Sequence, residues 1–167
     1  MGVIKVRFNP FDQRSIADAV RRLYEIRDNI TKCSNSVLDQ LADMGARYAK
    51  GSVTAYRAYD TGYLHDSIHP EFTTADKRVS KVVADAWYAA YVEYGTGIVG
   101  ANASHPNAEG WAYDVNNHGE AGWFYFDAAY GKKRWTMGQP AKPFMYDTKL
   151  YLEKEADDVY ANVFAGL

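Results

Sequence analysis

The 167-residue chain has one cysteine, Cys33. No intrachain disulfide can form, which points to a reducing compartment or to indifference to redox state. A chain of this length buries ~70% of its unfolded surface and needs no cross-link to fold. It has no apolar run near the ~20 residues that span a bilayer. The opening MGVIKVRFNP has no apolar core of the kind a secretion signal needs. Both absences predict a protein that works in the cytoplasm without a membrane partner. Net charge is only −2, so no global field recruits nucleic acid or anionic lipid.

Catalytic motifs are missing as well. There is no phosphate-cradling Gly-x-x-x-x-Gly-Lys and no Gly-x-Ser-x-Gly elbow. Gly95-Thr96-Gly97 lacks the third glycine of a dinucleotide fingerprint. The carboxylates form no pair in a rigid frame for acid–base work. Cys33 falls on an apolar helical stripe, where a small buried residue is expected rather than a nucleophile. His65 and His69 have i,i+4 spacing, but Pro70 and the β-prone residues after Ile68 argue against a helix continuing there. They read as polar residues at a helix-to-strand junction, not metal ligands. His105 and His118 sit in a glycine-rich stretch and are expected to be solvent-exposed. The chain therefore reads as a non-enzyme, with no catalytic residue, cofactor or metal.

What is present is a globular composition with many aromatics: 14 Tyr, 7 Phe and 4 Trp. Such a surplus is commonly spent on interfaces or ligand platforms. The expected architecture is a single α+β domain over residues 1–167. A long N-terminal helix and a C-terminal helix pack on an antiparallel sheet built from hairpins, with a long Gly/Asn-rich loop.

Residues 2–8 suggest a short strand, with Ile4, Val6 and Phe8 on one face. Asn9 and Pro10 then suit the start of a helix. Ile16, Val20, Leu23, Ile26, Ile30, Cys33, Val37, Leu41, Met44 and Tyr48 step by three or four, predicting one helix over about 10–50 with Gly51 as its terminator. At 1.5 Å per residue that helix is ~55–60 Å long. A compact domain of this size is roughly 30–35 Å wide. Either the helix breaks near Cys33-Ser34-Asn35-Ser36, or part of it projects toward a partner.

A helical turn over Asp60–Ile68 should lead into a hairpin of Ile68–Thr73 with Val79–Ala84, joined by the polar run Thr74–Arg78. Tyr88, Tyr91 and Val92 predict a short helix that Gly95 ends. Glu93, in this apolar block, needs a partner, expected to be an intersubunit or hairpin cation. About 96–122 reads as a loop insertion in which Trp111 and Tyr113 dock on something. A second hairpin pairs Trp123–Phe126 with Lys132–Thr136. A last helix begins at Pro143, buries Met145, Leu152, Ala156, Val159, Val163 and Leu167, and turns an acidic face outward. Trp111, Trp123, Tyr125 and Trp135 raise an alternative function, an aromatic platform for carbohydrate.

Three short motifs carry a family resemblance. They are Thr61-Gly62-x-Leu64-x-x-Ser67-Ile68, the block Ala86-x-Tyr88-Ala89-x-x-Val92-Glu93-Tyr94-Gly95-Thr96, and Pro140-x-x-Pro143-Phe144-Met145 opening the last helix. In that order, after a long first helix, they resemble minor tail or neck components of long-tailed phages, the tail-completion and head–tail joining proteins of the lambdoid HK type. The resemblance implies a structural virion-assembly subunit in the tail or neck, assembled in the host cytoplasm. It implies a homo-oligomeric ring that joins head connector to tail around the DNA path, with other neck and tail proteins as partners. It brings no catalytic residue or cofactor. On this reading Tyr91, Glu93, Tyr94, Thr96 and Trp111 are candidates for the subunit interface. Lys132, Lys133 and Arg134 are candidates for facing the channel, in non-specific contact with phage DNA.

Overall fold

The computed structural model describes residues 4–58, 60–72, 78–114, 117–118, 121–127 and 130–165. The first two residues of the expected opening strand, the turn over 74–77, the strand end at Thr73 and the helix end at Leu167 lie outside these. The protein is α+β. Its first helix, α1, is one unbroken element, Gln13–Ala55. At 43 residues it is about 64 Å long.

The ends of α1 differ from the sequence reading. Asp12 is the N-cap, its side chain accepting from the Arg14 N–H at 3.0 Å. Asn9 instead closes a turn before the helix, accepting from the Phe11 N–H at 3.0 Å. Gly51 lies inside α1, not at its end. Val53 is fully buried two residues later, and its burial holds the extra turn in place. Residues 4–8 form no strand. No described strand lies beside them to satisfy their backbone, and Ile4 and Phe8 are exposed.

α1 does not break at Cys33–Ser36, and only part of it is covered. From Val37 onward its small residues Ala42, Gly45, Ala46 and Ala49 are buried. A Cβ on Gly45 would sit 2.7 Å from Val82 and 2.9 Å from Leu152, so glycine there sets how closely neighbouring elements approach. Before Val37 the stripe is open: Ile16, Val20, Leu23, Tyr24 and Ile30 are 39–55% exposed.

A short helix, α2 (Tyr63–Ser67), feeds strand β1 (Ile68–Glu71), which pairs antiparallel with β2 (Lys81–Ala84). His65 and His69 flank this helix-to-strand junction. His65 Nδ1 is 2.8 Å from Asp66, and His69 Nδ1 is 3.0 Å from the Ser67 carbonyl. Pro70 is tolerated because both strands of an isolated hairpin are edges. Two more short helices follow, α3 (Ala89–Tyr94) and α4 (Gly97–Asn102). α4 occupies the start of the expected 96–122 loop. Strands β3 (Trp123–Asp127) and β4 (Lys132–Thr136) make a second, separate hairpin. The chain ends in α5, Phe144–Phe164, packed along α1 with Tyr151 stacked 4.2 Å from Tyr48.

The core lies under the C-terminal third of α1. Ala46, Ala49 and Val53 meet Leu64, Ile68, Ala86, Val92 and Phe144, and Phe144 is the largest fully buried side chain. Tyr56, just past α1, donates its hydroxyl to Asp147 at 2.5 Å and ties the end of α1 to the first turn of α5. That bond, with burial second, pushes the Tyr56 phenol up to about 12, so it remains a donor across the neutral range.

Candidate assembly site

α3 is the hub that positions the predicted interface residues. Its N-terminal residues Ala89 and Ala90 are small, Val92 is buried in the core, and Gly95 turns the chain away. Beside Val92 sits Glu93, only 6% exposed. A carboxylate removed from water to this extent must be fully hydrogen-bonded. It accepts from the Met145 N–H at 2.8 Å, the Tyr146 N–H at 2.9 Å and His105 Nε2 at 3.0 Å. The two amides belong to the first turn of α5, whose own N-cap, Pro143, has no side-chain acceptor. Glu93 therefore caps α5 from across the fold, where the positive end of the helix dipole favours an anion.

His105 is 5% exposed, so the expectation that it faces solvent is corrected. Its Nδ1 accepts from the Asn107 N–H at 2.9 Å, which puts the ring proton on Nε2, toward Glu93. The expectation of an intersubunit or hairpin cation for Glu93 is corrected too. Its partners lie within the chain. His118 is half-buried and stacks 4.9 Å from Trp123.

Trp111 docks on α3, as its place in the loop suggested. Its indole N–H donates to the Gly95 carbonyl at 3.0 Å, and its ring stacks 4.8 Å from Tyr94 and lies tilted 5.9 Å from Tyr91. Thr96 is buried and exchanges both backbone bonds with Gln139, at 2.9 and 3.0 Å. The Gln139 side chain also donates to the Tyr91 carbonyl at 3.0 Å. Two backbone segments thus cross at contact distance, 95–97 over 137–141. Gly95 has φ +79, and a Cβ there would meet the Ala141 nitrogen at 2.7 Å. Gly138 has φ +101, and a Cβ would overlap the Thr96 carbonyl oxygen. Gly95 and Gly138 are the contact points of this crossing.

The structure thus gathers Tyr91, Glu93, Tyr94, Thr96 and Trp111 around α3. Glu93 and Thr96 are held inside, while the three aromatic rings keep part of their faces exposed.

The second hairpin divides its side chains by strand alternation and register. Phe126 pairs with Lys133 and Phe124 with Trp135, so these four share one face. Tyr125, Asp127, Lys132 and Arg134 share the other. Lys133 therefore points away from Lys132 and Arg134. Arg134 is also bound to Asp127 at 2.7 Å and lies 4.5 Å over the Tyr130 ring. Nor do the candidate platform rings come together. Trp111 is on α3, Trp123 and Tyr125 are on one hairpin face, and Trp135 is on the other.

A family model described as "Bacteriophage HK97-gp10, putative tail-component" matches residues 17–95. The matched segment is similar to the HK97-gp10-like family. No curated protein and no solved structure matches the chain. The HK97-gp10-like segment runs from the first turns of α1 to the turn at Gly95, and so contains the open helical stripe from Val20 on, the first hairpin and Glu93. A tail component belongs to the virion, and the family is not one of enzymes. Among the described residues no helix is long and apolar enough to cross a membrane.

Glu93 lies inside the HK97-gp10-like segment, whereas its partners His105, Met145 and Tyr146 lie beyond it. Sequence reasoning missed all three. The available signal was a pair of unmet needs: a carboxylate in an apolar block, and a final helix whose N-terminus lacks a capping side chain.

Proposed function

We propose that this chain is a tail-completion or neck component that joins head connector to tail as part of an oligomeric ring of its own copies. The observation that carries the reading is the open stripe of α1. Val20, Leu23 and Ile30 lie within the family segment, Ile16 just before it, and all four stay uncovered in a single chain. An apolar helical face of this length asks for a partner surface. The half-exposed rings of Tyr91, Tyr94 and Trp111 offer a second contact patch for a neighbouring copy or another tail protein. Particles assembled without this chain are expected to accumulate as filled heads and separate tails in electron micrographs. Adding purified chain should restore joined particles. Normally joined particles in its absence would refute the reading.

The hairpin face bearing Lys132 and Arg134 is directed at the DNA path in this proposal, and Lys133 lies on the opposite face. Only electrostatic, sequence-independent contact is involved. Replacing Lys132 and Arg134 together by alanine is expected to lower the DNA content of joined particles by a few-fold and to steepen leakage in high salt. Unchanged DNA retention and salt response would remove the DNA-facing role.

A further inference from the structure

Besides the open stripe of α1, two further apolar surfaces are uncovered among the described residues, and they differ in shape and in charge. The first is convex. Phe124, Phe126 and Trp135 stand on one face of the β3–β4 hairpin at 66%, 65% and 52% exposure, with Lys133 among them. β3 and β4 pack chiefly on each other. An isolated two-stranded ribbon is marginal in water, and an aromatic face turned to solvent makes it more so. The second is concave. A groove of about 330 Å³ runs between the middle of α1 and the end of α5, lined by Ile30, Val37, Leu38, Tyr160 and Phe164, with Arg78 at its side.

Charge distinguishes the two. Among the described residues Lys133 has no carboxylate partner. Beside the groove, α5 carries Glu153, Glu155, Asp157 and Asp158 against Lys154 alone between Glu153 and Phe164. Glu153 is bound to Lys149 at 3.3 Å, whereas Asp157 and Asp158 have no ion pair among the described residues. Asp157 precedes Tyr160 by three residues and Phe164 by seven, which places it on the same helical face, one turn from the groove.

We propose that the aromatic face of the β3–β4 hairpin of one copy docks into the α1–α5 groove of the next copy, with Lys133 opposite Asp157. The proposal rests on the ring reading above and names the contact that builds the ring. The two surfaces do not overlap on the chain, so the contact is head-to-tail. Repeated head-to-tail contacts generate a ring when the rotation closes. An isologous pairing through α1 alone would leave the hairpin's aromatics in water. The Arg78 guanidinium can lie over an inserted aromatic ring. The opposing charges fix register and select against the reversed contact.

A charge swap in the full-length chain, read by sedimentation over a range of concentrations, tests this. The wild-type chain is expected to self-associate. Lys133→Glu and Asp157→Lys should each weaken association about tenfold, and the double variant should recover most of that loss. Phe126→Ser with Trp135→Ser should leave the chain monomeric. Circular dichroism reports whether that pair still folds. If it does not, the charge swap, at exposed positions, decides alone. A chain that stays monomeric at every concentration overturns the proposal, as does association that the single swaps do not weaken or the double does not restore. A chain that fails here and still restores head–tail joining sinks this contact and leaves the tail reading standing. A chain that associates through this contact, but whose loss leaves joining intact, sinks the joining role alone.

Discussion

Replacing Glu93 by alanine is expected to lower the unfolding free energy by about 3–5 kcal/mol, the usual cost of breaking a buried charged network. That is a large share of the 5–15 kcal/mol typical of a domain. The cost arises because the Met145 and Tyr146 amides and His105 Nε2 all lose their acceptor together in a dry setting. Glu93→Gln should cost less, about 1–2 kcal/mol, since its carbonyl oxygen can still accept while its amide group faces donors. His105→Ala should also cost less than Glu93→Ala, because it leaves the cap on α5 intact. Urea unfolding of the three variants checks the order. If alanine at Glu93 costs no more than alanine at His105, the cap is not what Glu93 supplies.

Gly138→Ala is expected to cost a comparable amount, about 3–5 kcal/mol, from left-handed strain and overpacking combined. The new Cβ would collide with the Thr96 carbonyl, the group that accepts from the Gln139 N–H in the backbone crossing. Gly110→Ala is the control. Its φ is +77, but nothing lies within 4 Å of the added carbon. Strain alone predicts about 1–2 kcal/mol there. Equal losses at the two sites, measured by thermal or urea unfolding, would show that the crossing tolerates the extra atom.

Local physics made much of this molecule legible in its sequence. The three- and four-residue steps from Ile16 to Tyr48 gave α1 its face, and the β-branched and aromatic runs gave both hairpins. Periodicity identifies a face but not what covers it. Val37 and Val20 lie on the same stripe, and only the packing of α5 and the first hairpin separates a buried residue from an open one. Ends were harder to place. Gly51 looked like a stop, yet the burial of Val53 outweighs the roughly 1 kcal/mol penalty of a helical glycine. The Glu93 cluster was illegible for another reason. It joins positions 93, 105, 145 and 146, and two of its three donors are backbone amides that carry no side-chain signature. Gly95 read only as a helix end and Gly138 only as part of a chain-breaking run, when each marks a place where another backbone lies too close for a side chain.

The continuity of α1 has a cooperative consequence. Starting a helix costs far more than lengthening one. In α1 the costly first turns form where Ala46, Ala49 and Val53 are locked into the core. The open segment before Val37 then propagates from an existing template, one backbone bond per residue. Its order depends on chain propensity and on exposed pairs such as Arg21 with Asp18. Loss of helix therefore begins at Gln13 and travels inward without disturbing the core. Any surface that covers the stripe draws that equilibrium toward the fully wound state by mass action.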